Sequence, residues 1–383
     1  MTGYLVRRAG QMVLTLFLII TVAFFLVQAQ PGDYASFYAL NPDLPPDVRE
    51  QIRASFGLDK PLWEQYLIHL KNTVTGNFGV SFGHFPRPVM DVLIERVPRT
   101  AVLFLTATVF SFYIGFFLGK AIAWRRGGVL EYTATISGAT LFTVFTPAFA
   151  LMMIWIFSFR LGWLPVGKFL DPLVWRHADV TANHVFGQML LTAFLFTVFA
   201  FLVLWALRKT GRVALARWAG PLIAVGAVVV LLLWSISSVG GLALDILKHM
   251  VLPIVTLTLI SFAGTMLLTR NSMLETVRED YVMAARAKGL PEKQVRDRHA
   301  ARNALLPVVT SLVYSLIFAI DGSVIIEVVF SWPGTGLTLL QAVRTEDLPL
   351  VMGAMVFIGL FSLLAHVIVD ILYVYLDPRI RYQ

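Results

Sequence analysis

A chain of 383 residues that is 57% hydrophobic and only 14% charged departs from soluble domains, in which about a quarter of residues are charged. The absence of cysteine excludes disulfides, thiol catalysis and Cys-ligated metal or iron–sulfur centres. A net charge of +8 would suggest nucleic acid in a soluble protein. Here it reads as the Lys/Arg excess that membrane proteins keep on their cytoplasmic side, so the expected surroundings are a lipid bilayer and no nucleic acid.

Long apolar runs, rather than short alternating segments, predict an all-α polytopic membrane protein. Taken in chain order, spans are predicted at about 9–29, 100–124, 130–158, 186–207, 218–239, 250–269, 304–328 and 350–376, eight in all. The first has a rival reading as a secretory signal, with Arg7-Arg8, an apolar core and Val27-Gln28-Ala29, although its core of about 16 residues is slightly long for one. Segment 30–98 follows, polar and predicted to be a small helical cap. Two amphipathic helices are broken at Gly57-Leu58-Asp59-Lys60-Pro61, with Ile52, Phe56, Leu62, Tyr66 and Leu70 on their apolar faces. Such a cap either packs on the spans or is presented to a partner.

Short loops carry the basic residues: Arg7 and Arg8, Arg125 and Arg126, then Arg208, Lys209, Arg212 and Arg217, the 270–302 loop, and Arg379 and Arg381. An even number of spans places all of them on one side, which the charge rule makes the cytoplasm, with both termini there. The opposite side holds 30–98 and shorter segments near 160–185, 240–249 and 331–349.

No catalytic constellation stands out. "GFFLGKA" at 115–121 spaces its glycines by three residues where a phosphate loop needs four, and Ala121 stands where Ser or Thr is required. In an apolar segment Gly115 and Gly119 predict instead a face for close helix packing. There is no H-E-x-x-H and no G-x-S-x-G, and the seven histidines are scattered. No cofactor or metal is expected.

The densest charge lies between two predicted spans. From Arg270 to Arg302 there are eight Lys or Arg residues, within "EDYVMAARAKGLPEKQVRDRHAARNALLPVV" and the stretch before it. The Ala284–Ala287 run favours helix, Gly289 and Pro291 stop it, and a second basic helix begins near Glu292. By charge alone this is a solvated positive-inside loop.

"DYVMAARAKGL" followed by "RHAARNALLPVV" resembles the coupling-helix signature of bacterial ABC importer permeases, and more narrowly the B-type subunit of the dipeptide/oligopeptide/nickel family. The resemblance continues in "YLVRRAGQMVLTLFLI", "QPGD", "GLDKPLWEQYL", "GNFGVSF", "RPVMDVLIERVPRTAVL", "GWLPVG", "HMVLPIVTLTL", "TRNSMLE", "EVVFSWPGTG" and "LDPRIR". These blocks run in order along the chain, except over about 170–245. The resemblance implies an uncleaved first span. It implies that Ala284, Ala285 and Gly289 form the small-small-xxx-Gly core of a helix that docks into a partner ATPase. Arg286, Lys288, Arg298 and Arg302 would be offered to acidic residues there. Met283 stands where the general motif has an acid, so no salt bridge is expected from that position.

The resemblance further implies a single permease domain over 1–383 in a bacterial inner membrane, forming half of a pathway for peptides or similar small polar solutes. Its partners would be a second, C-type permease, one or two ATP-binding-cassette ATPase subunits and an extracytoplasmic substrate-binding protein. ATP would be hydrolysed on the partners, so the chain itself is not an enzyme. Family members usually have six spans. A two-span hairpin over 182–243, free of ionisable residues within its spans, therefore reads as an insertion facing lipid, and 270–303 as the coupling loop. The alternative is a proton-coupled secondary transporter, with Asp321, Asp370 and His366 as candidate relays. Asp321 is also a candidate for the translocation path, against a plain hydrated position at the outer mouth.

Overall fold

The computed structural model describes residues 2–29, 60–125, 127–209, 218–321 and 324–376, with side chains throughout these except at 2–6, 9, 208, 317–321 and 368–376. The first cap helix expected before Lys60, the 210–217 tip, the basic tail and the side chains of Asp321 and Asp370 lie outside the described residues. Among the described residues there is no strand, only an isolated antiparallel bridge between Val80 and Pro88. The chain forms two compact units, one of residues 1–151 with 254–383 and one of residues 152–253.

The helices, in order, are α1 Thr2–Gln28, α2 Leu62–Val74, α3 Val89–Trp124, α4 Val129–Thr143, α5 Thr146–Ile154, α6 Ala182–Lys209, α7 Ala219–Ile236 and α8 Gly240–Thr276. They continue as α9 Asp280–Ala287, α10 Glu292–Gln294, α11 Ala301–Asp321, α12 Val324–Val329, α13 Thr335–Arg344 and α14 Leu348–Leu376. Wider π-helical turns extend α5 over Trp155–Arg160 and link α10 to α11 over Val295–Ala300.

Six described helices are long and apolar enough to cross a bilayer: Gly10–Gln28, Val89–Trp124, Ala182–Leu207, Ala219–Ile236, Gly240–Thr276 and Leu348–Val367. A seventh crossing would be the pair Val129–Thr143 and Thr146–Arg160, bent by 105°. The expected straight span 130–158 is thus broken. Val144 leaves α4 in an extended conformation, and Pro147 lies in the first turn of α5, where its missing N–H costs nothing. Within the expected span 304–328 the described helices are α11, as far as Asp321, and α12, from Val324. Segments 87–98 and 240–249, expected outside the spans, are largely helical and lengthen α3 and α8. Polar residues at a helix end hide its true start from hydropathy.

In the larger unit, α1 packs on α14, and α11 packs on both α3 and α14. Val89, Val92 and Leu93 of α3 bury themselves against Ala342 of α13 and Leu350, Val351, Ala354 and Phe357 of α14. The start of α14 is fixed by Asp347, which accepts from Leu350 N at 3.3 Å, Ser81 Oγ at 2.5 Å and Gly83 N at 2.9 Å.

The pairing of α3 with α8 depends on the two glycines singled out above. A Cβ at Gly115 would lie 2.6 Å from the Phe262 carbonyl oxygen, and one at Gly119 would lie 2.5 Å from that of Met266. Both obstacles are backbone, so nothing flexible can give way. Gly119→Leu is therefore expected to destabilise the α3–α8 contact by about 1–3 kcal/mol or more, as overpacking does. The check is the yield and melting temperature of the detergent-solubilised subunit, with exposed Gly10, which has nothing within 4 Å, changed to Leu as control.

In the smaller unit, α6 and α7 pack on each other, and their outward faces are bare apolar side chains such as Leu191, Phe194, Leu195, Val225 and Leu233. Beside them a loop is pinned to α8 by Asp245, which accepts from Asp171 N at 3.0 Å and Trp175 Nε1 at 2.9 Å. Phe169 of the same loop meets Phe186 edge-on at 5.4 Å.

Candidate functional site

The basic loop folds as the residues dictate. Asp280 sits in the first turn of α9, where a carboxylate favours the helix N-terminus. The helix stops because Gly289 turns the chain back at φ +73°, with its N–H bonded to Arg286 O at 2.9 Å and Leu290 N to Ala285 O at 3.4 Å. Pro291 then precedes α10, and the chain returns to the membrane through Val295–Ala300 and α11.

The projection has an inside and an outside. Val282 and Ala285, one helical turn apart, are buried with Val295, Ala300, Ala301 and Ala304, and close over Ala123 of α3 and Met273 of α8. Tyr281, Met283, Ala284, Arg286, Ala287, Lys288 and Gly289 are exposed. The two adjacent alanines therefore part company: Ala284 faces outward, whereas Ala285 holds the projection together. Arg286 is engaged within the chain, with its guanidinium 5.5 Å from the Trp124 ring and Nε 3.1 Å from Glu292. Lys288, Arg298 and Arg302 are exposed and have no ion-pair partner among the described residues.

A second set of contacts braces the projection on α3. Asp297 takes two hydrogen bonds from Arg296, at 2.8 and 3.0 Å, and Lys120 Nζ lies 3.3 Å away. The hydrogen bonds from Arg296, with Lys120 adding, hold its carboxyl at about 2, so it is ionised under any condition in which the protein works. Nearby, Arg270 of α8 binds the Glu131 carboxylate, which also caps Gly127 N at 2.6 Å. Sequence reading assigned no role to Lys120, Trp124, Glu131 or Asp297. A cation at the end of an apolar run was the available signal, but its partner lies far away in the chain.

At the other end of α3 is a second polar centre. Glu327 of α12 is fully buried and accepts from Thr100 Oγ1 at 2.6 Å and Leu337 N at 2.8 Å. Thr335 N donates to the same Thr100 oxygen at 2.8 Å, and Trp332 Nε1 donates to Arg99 O at 3.2 Å. A Cβ at Gly334 would run into the Glu327 carboxylate and the Thr100 hydroxyl. "EVVFSWPGTG" is thus a loop folded round its own glutamate and fastened to α3. Glu95 beside it binds Arg87 at 2.7 Å and Arg99 at 2.8 Å. Asp321 is the last residue of α11, and its side chain lies outside the described residues. Among the described residues no group of three metal-ligating side chains comes together.

Two family models match the chain. Residues 184–382 match the binding-protein-dependent transport system inner membrane component, and residues 1–104 match the N-terminal region of such membrane components. The di/tripeptide transport system permease protein DppB of Pseudomonas aeruginosa is 31% identical over 388 residues, covering all of both chains. The dipeptide transport system permease protein DppB of Escherichia coli is 29% identical over 383 residues, again covering all of both chains. The oligopeptide transport system permease protein AppB of Bacillus subtilis is 28% identical over 382 residues, with full coverage of both. This family is not one of proton-coupled carriers, which removes the alternative reading. In it ATP is hydrolysed by separate subunits, and a binding protein and a second permease complete the importer. The chain belongs to the binding-protein-dependent transport family, as a multi-pass inner-membrane permease subunit of an ATP-binding-cassette importer.

Proposed function

We propose that the chain forms half of a translocation path for peptides or similar small polar solutes, paired with a C-type permease and fed by an extracytoplasmic binding protein. One or two ATPase subunits seat on the projection of residues 280–300, and both termini lie in the cytoplasm. The peptide class rests on the relatives, whose names specify dipeptides, di/tripeptides and oligopeptides. The observation that carries the ATPase seat is the two-sided build of the projection: Val282 and Ala285 fix it to α3 and α8, leaving a bare face of Met283, Ala284, Ala287 and Lys288. Small side chains there admit close approach of a partner, and Lys288 offers it a positive charge. Gly289 sets the angle between the arms.

Movement of the projection reaches the outer side through α3, which carries Lys120 and Trp124 near its C-terminal end and Thr100 nearer its N-terminal end. Asp321 lines the path in this proposal, and residues 182–243 form an added membrane hairpin. Its two spans carry no ionisable side chain over 186–207 and 218–239, which supports a place facing lipid.

The test is purification of the tagged subunit in mild detergent with all partner subunits co-expressed. The native chain is expected to bring the ATPase with it, and Ala284→Trp, on the bare face, to lose it while keeping the second permease. Retention of the ATPase by Ala284→Trp would move its seat elsewhere.

A further inference from the structure

α2 is amphipathic over more of its circumference than α1 covers. Tyr66, His69 and Thr73 form the covered arc. The Tyr66 hydroxyl meets Thr21 Oγ1 at 2.8 Å, and Gln65 meets Gln28 at 2.8 Å. The Phe24 ring lies 5.5 Å from Tyr66 and 5.4 Å from His69, and Phe25 stacks on Tyr66 at 6.1 Å. Burial lowers the pKa of His69 below its ordinary value, so it brings little charge to this contact. α2 therefore lies along residues 21–28, the last two turns of the apolar span Gly10–Gln28.

The next arc of α2 carries Trp63, Leu67 and Val74, spaced to share one face, and they are 63%, 53% and 77% exposed. It adjoins the outward face of α1, where Val22, Phe25 and Leu26 are also more than half exposed. Beyond it come exposed Lys60 and Lys71. An apolar stripe with a tryptophan, bordered by lysines, is the make-up of a helix lying in a membrane interface.

We propose that α2 is an interfacial helix, with Trp63, Leu67 and Val74 seated among the lipids at the boundary of headgroups and acyl chains. The occupant is lipid rather than protein because the stripe continues the side of α1 that faces outward along its own membrane span. The depth of α1 fixes the depth of α2. Lys71 reaches the headgroups, as long cationic side chains do at this level, whereas Lys60 lies 3.7 Å from Glu64. The consequence is mechanical. α2 leads directly into the loop whose Ser81 and Gly83 bind Asp347 at the head of α14, so the membrane surface becomes one of the supports of the outer mouth. The leaflet is the outer one in the orientation proposed above, whereas the lipid contact itself does not depend on that orientation.

The chain has no cysteine, which permits a direct test. Nitroxide labels are placed singly at Leu67→Cys and Lys71→Cys in the assembled importer, its partners stripped of cysteine, in vesicles of phosphatidylethanolamine and phosphatidylglycerol. Collision with oxygen, which concentrates in lipid, is compared with collision with a water-soluble nickel chelate. The label at 67 is expected to favour oxygen over the chelate at least threefold more strongly than the label at 71. Equal preference at the two sites, or a label at 67 shielded from both reagents, overturns the proposal, the first placing the stripe in water and the second under protein. Adding the chelate only outside, then only inside, reports the leaflet, so an error in orientation is distinguishable from failure of the lipid contact.

Discussion

Gly289→Val is expected to abolish coupled uptake, Gly289→Ala to reduce it, and Gly289→Asn to retain most of it. A Cβ at this position would meet nothing within 4 Å, so space is not at issue. The constraint is the backbone, held at φ +73°. An L-residue there costs about 1–2 kcal/mol, with Asn penalised least and a β-branched side chain most. A penalty of that size lowers the population of the native turn roughly 5- to 30-fold, which tilts α9 away from the docking angle of a partner. The measurement is uptake alongside ATP hydrolysis in reconstituted vesicles. Hydrolysis that persists while uptake falls in the order Asn, Ala, Val identifies the turn as part of the coupling. Equal uptake in all three would remove Gly289 from it.

Much of this architecture is legible in local sequence. Gly115 and Gly119 announce close packing because only a missing side chain permits it, and their contact with α8 follows that expectation. The Gly289 turn is equally local. What escapes is whatever depends on partners distant in the chain. "AA" at 284–285 reads as one small patch, yet one alanine faces in and the other out. The i, i+3 pair Val282 and Ala285 was the sign of an inner face, easily overlooked in a helix so short. Glu327 sits in a block that resembles the family, but its role is visible only once Thr100 of α3 and Leu337 of α13 converge on it, with Thr335 N bonded to the same Thr100 hydroxyl. The 105° bend between α4 and α5 escapes for a related reason, because hydropathy averages over residues 144–147 and registers no break. Asp245, Asp171 and Trp175 lie in the region where the resemblance lapses, and their contacts join a loop to the helix that follows the hairpin.

Loss of the Glu327 carboxylate is expected to have the largest effect of any single change at the polar centre around Thr100. Glu327→Ala removes the acceptor of Thr100 Oγ1 and Leu337 N inside a fully buried site. Each buried donor left without a partner costs about 1–3 kcal/mol, so the loop of Trp332–Thr335 should come away from α3 at a total cost of about 2–6 kcal/mol. Glu327→Gln keeps an acceptor oxygen and should be milder. Thr100→Val separates folding from transmission more cleanly, because it cuts both the bond to Glu327 and the bond from Thr335 N while keeping the shape of the side chain. From Thr100 to Lys120, α3 runs about 30 Å at 1.5 Å per residue, ending at the Lys120–Asp297 pair and at Trp124 beneath Arg286. Thr100→Val frees the loop from α3 while Val89, Val92 and Leu93 keep the start of α3 packed on α13 and α14, so a loss of uptake reports the loop and not the helix. Thr100→Val is therefore expected to leave ATPase association and hydrolysis near native levels, to lower uptake at least tenfold, and to open residues 330–335 to protease, from the outer side in the orientation proposed above. Native uptake with the loop demonstrably released would show that this loop takes no part in opening the path.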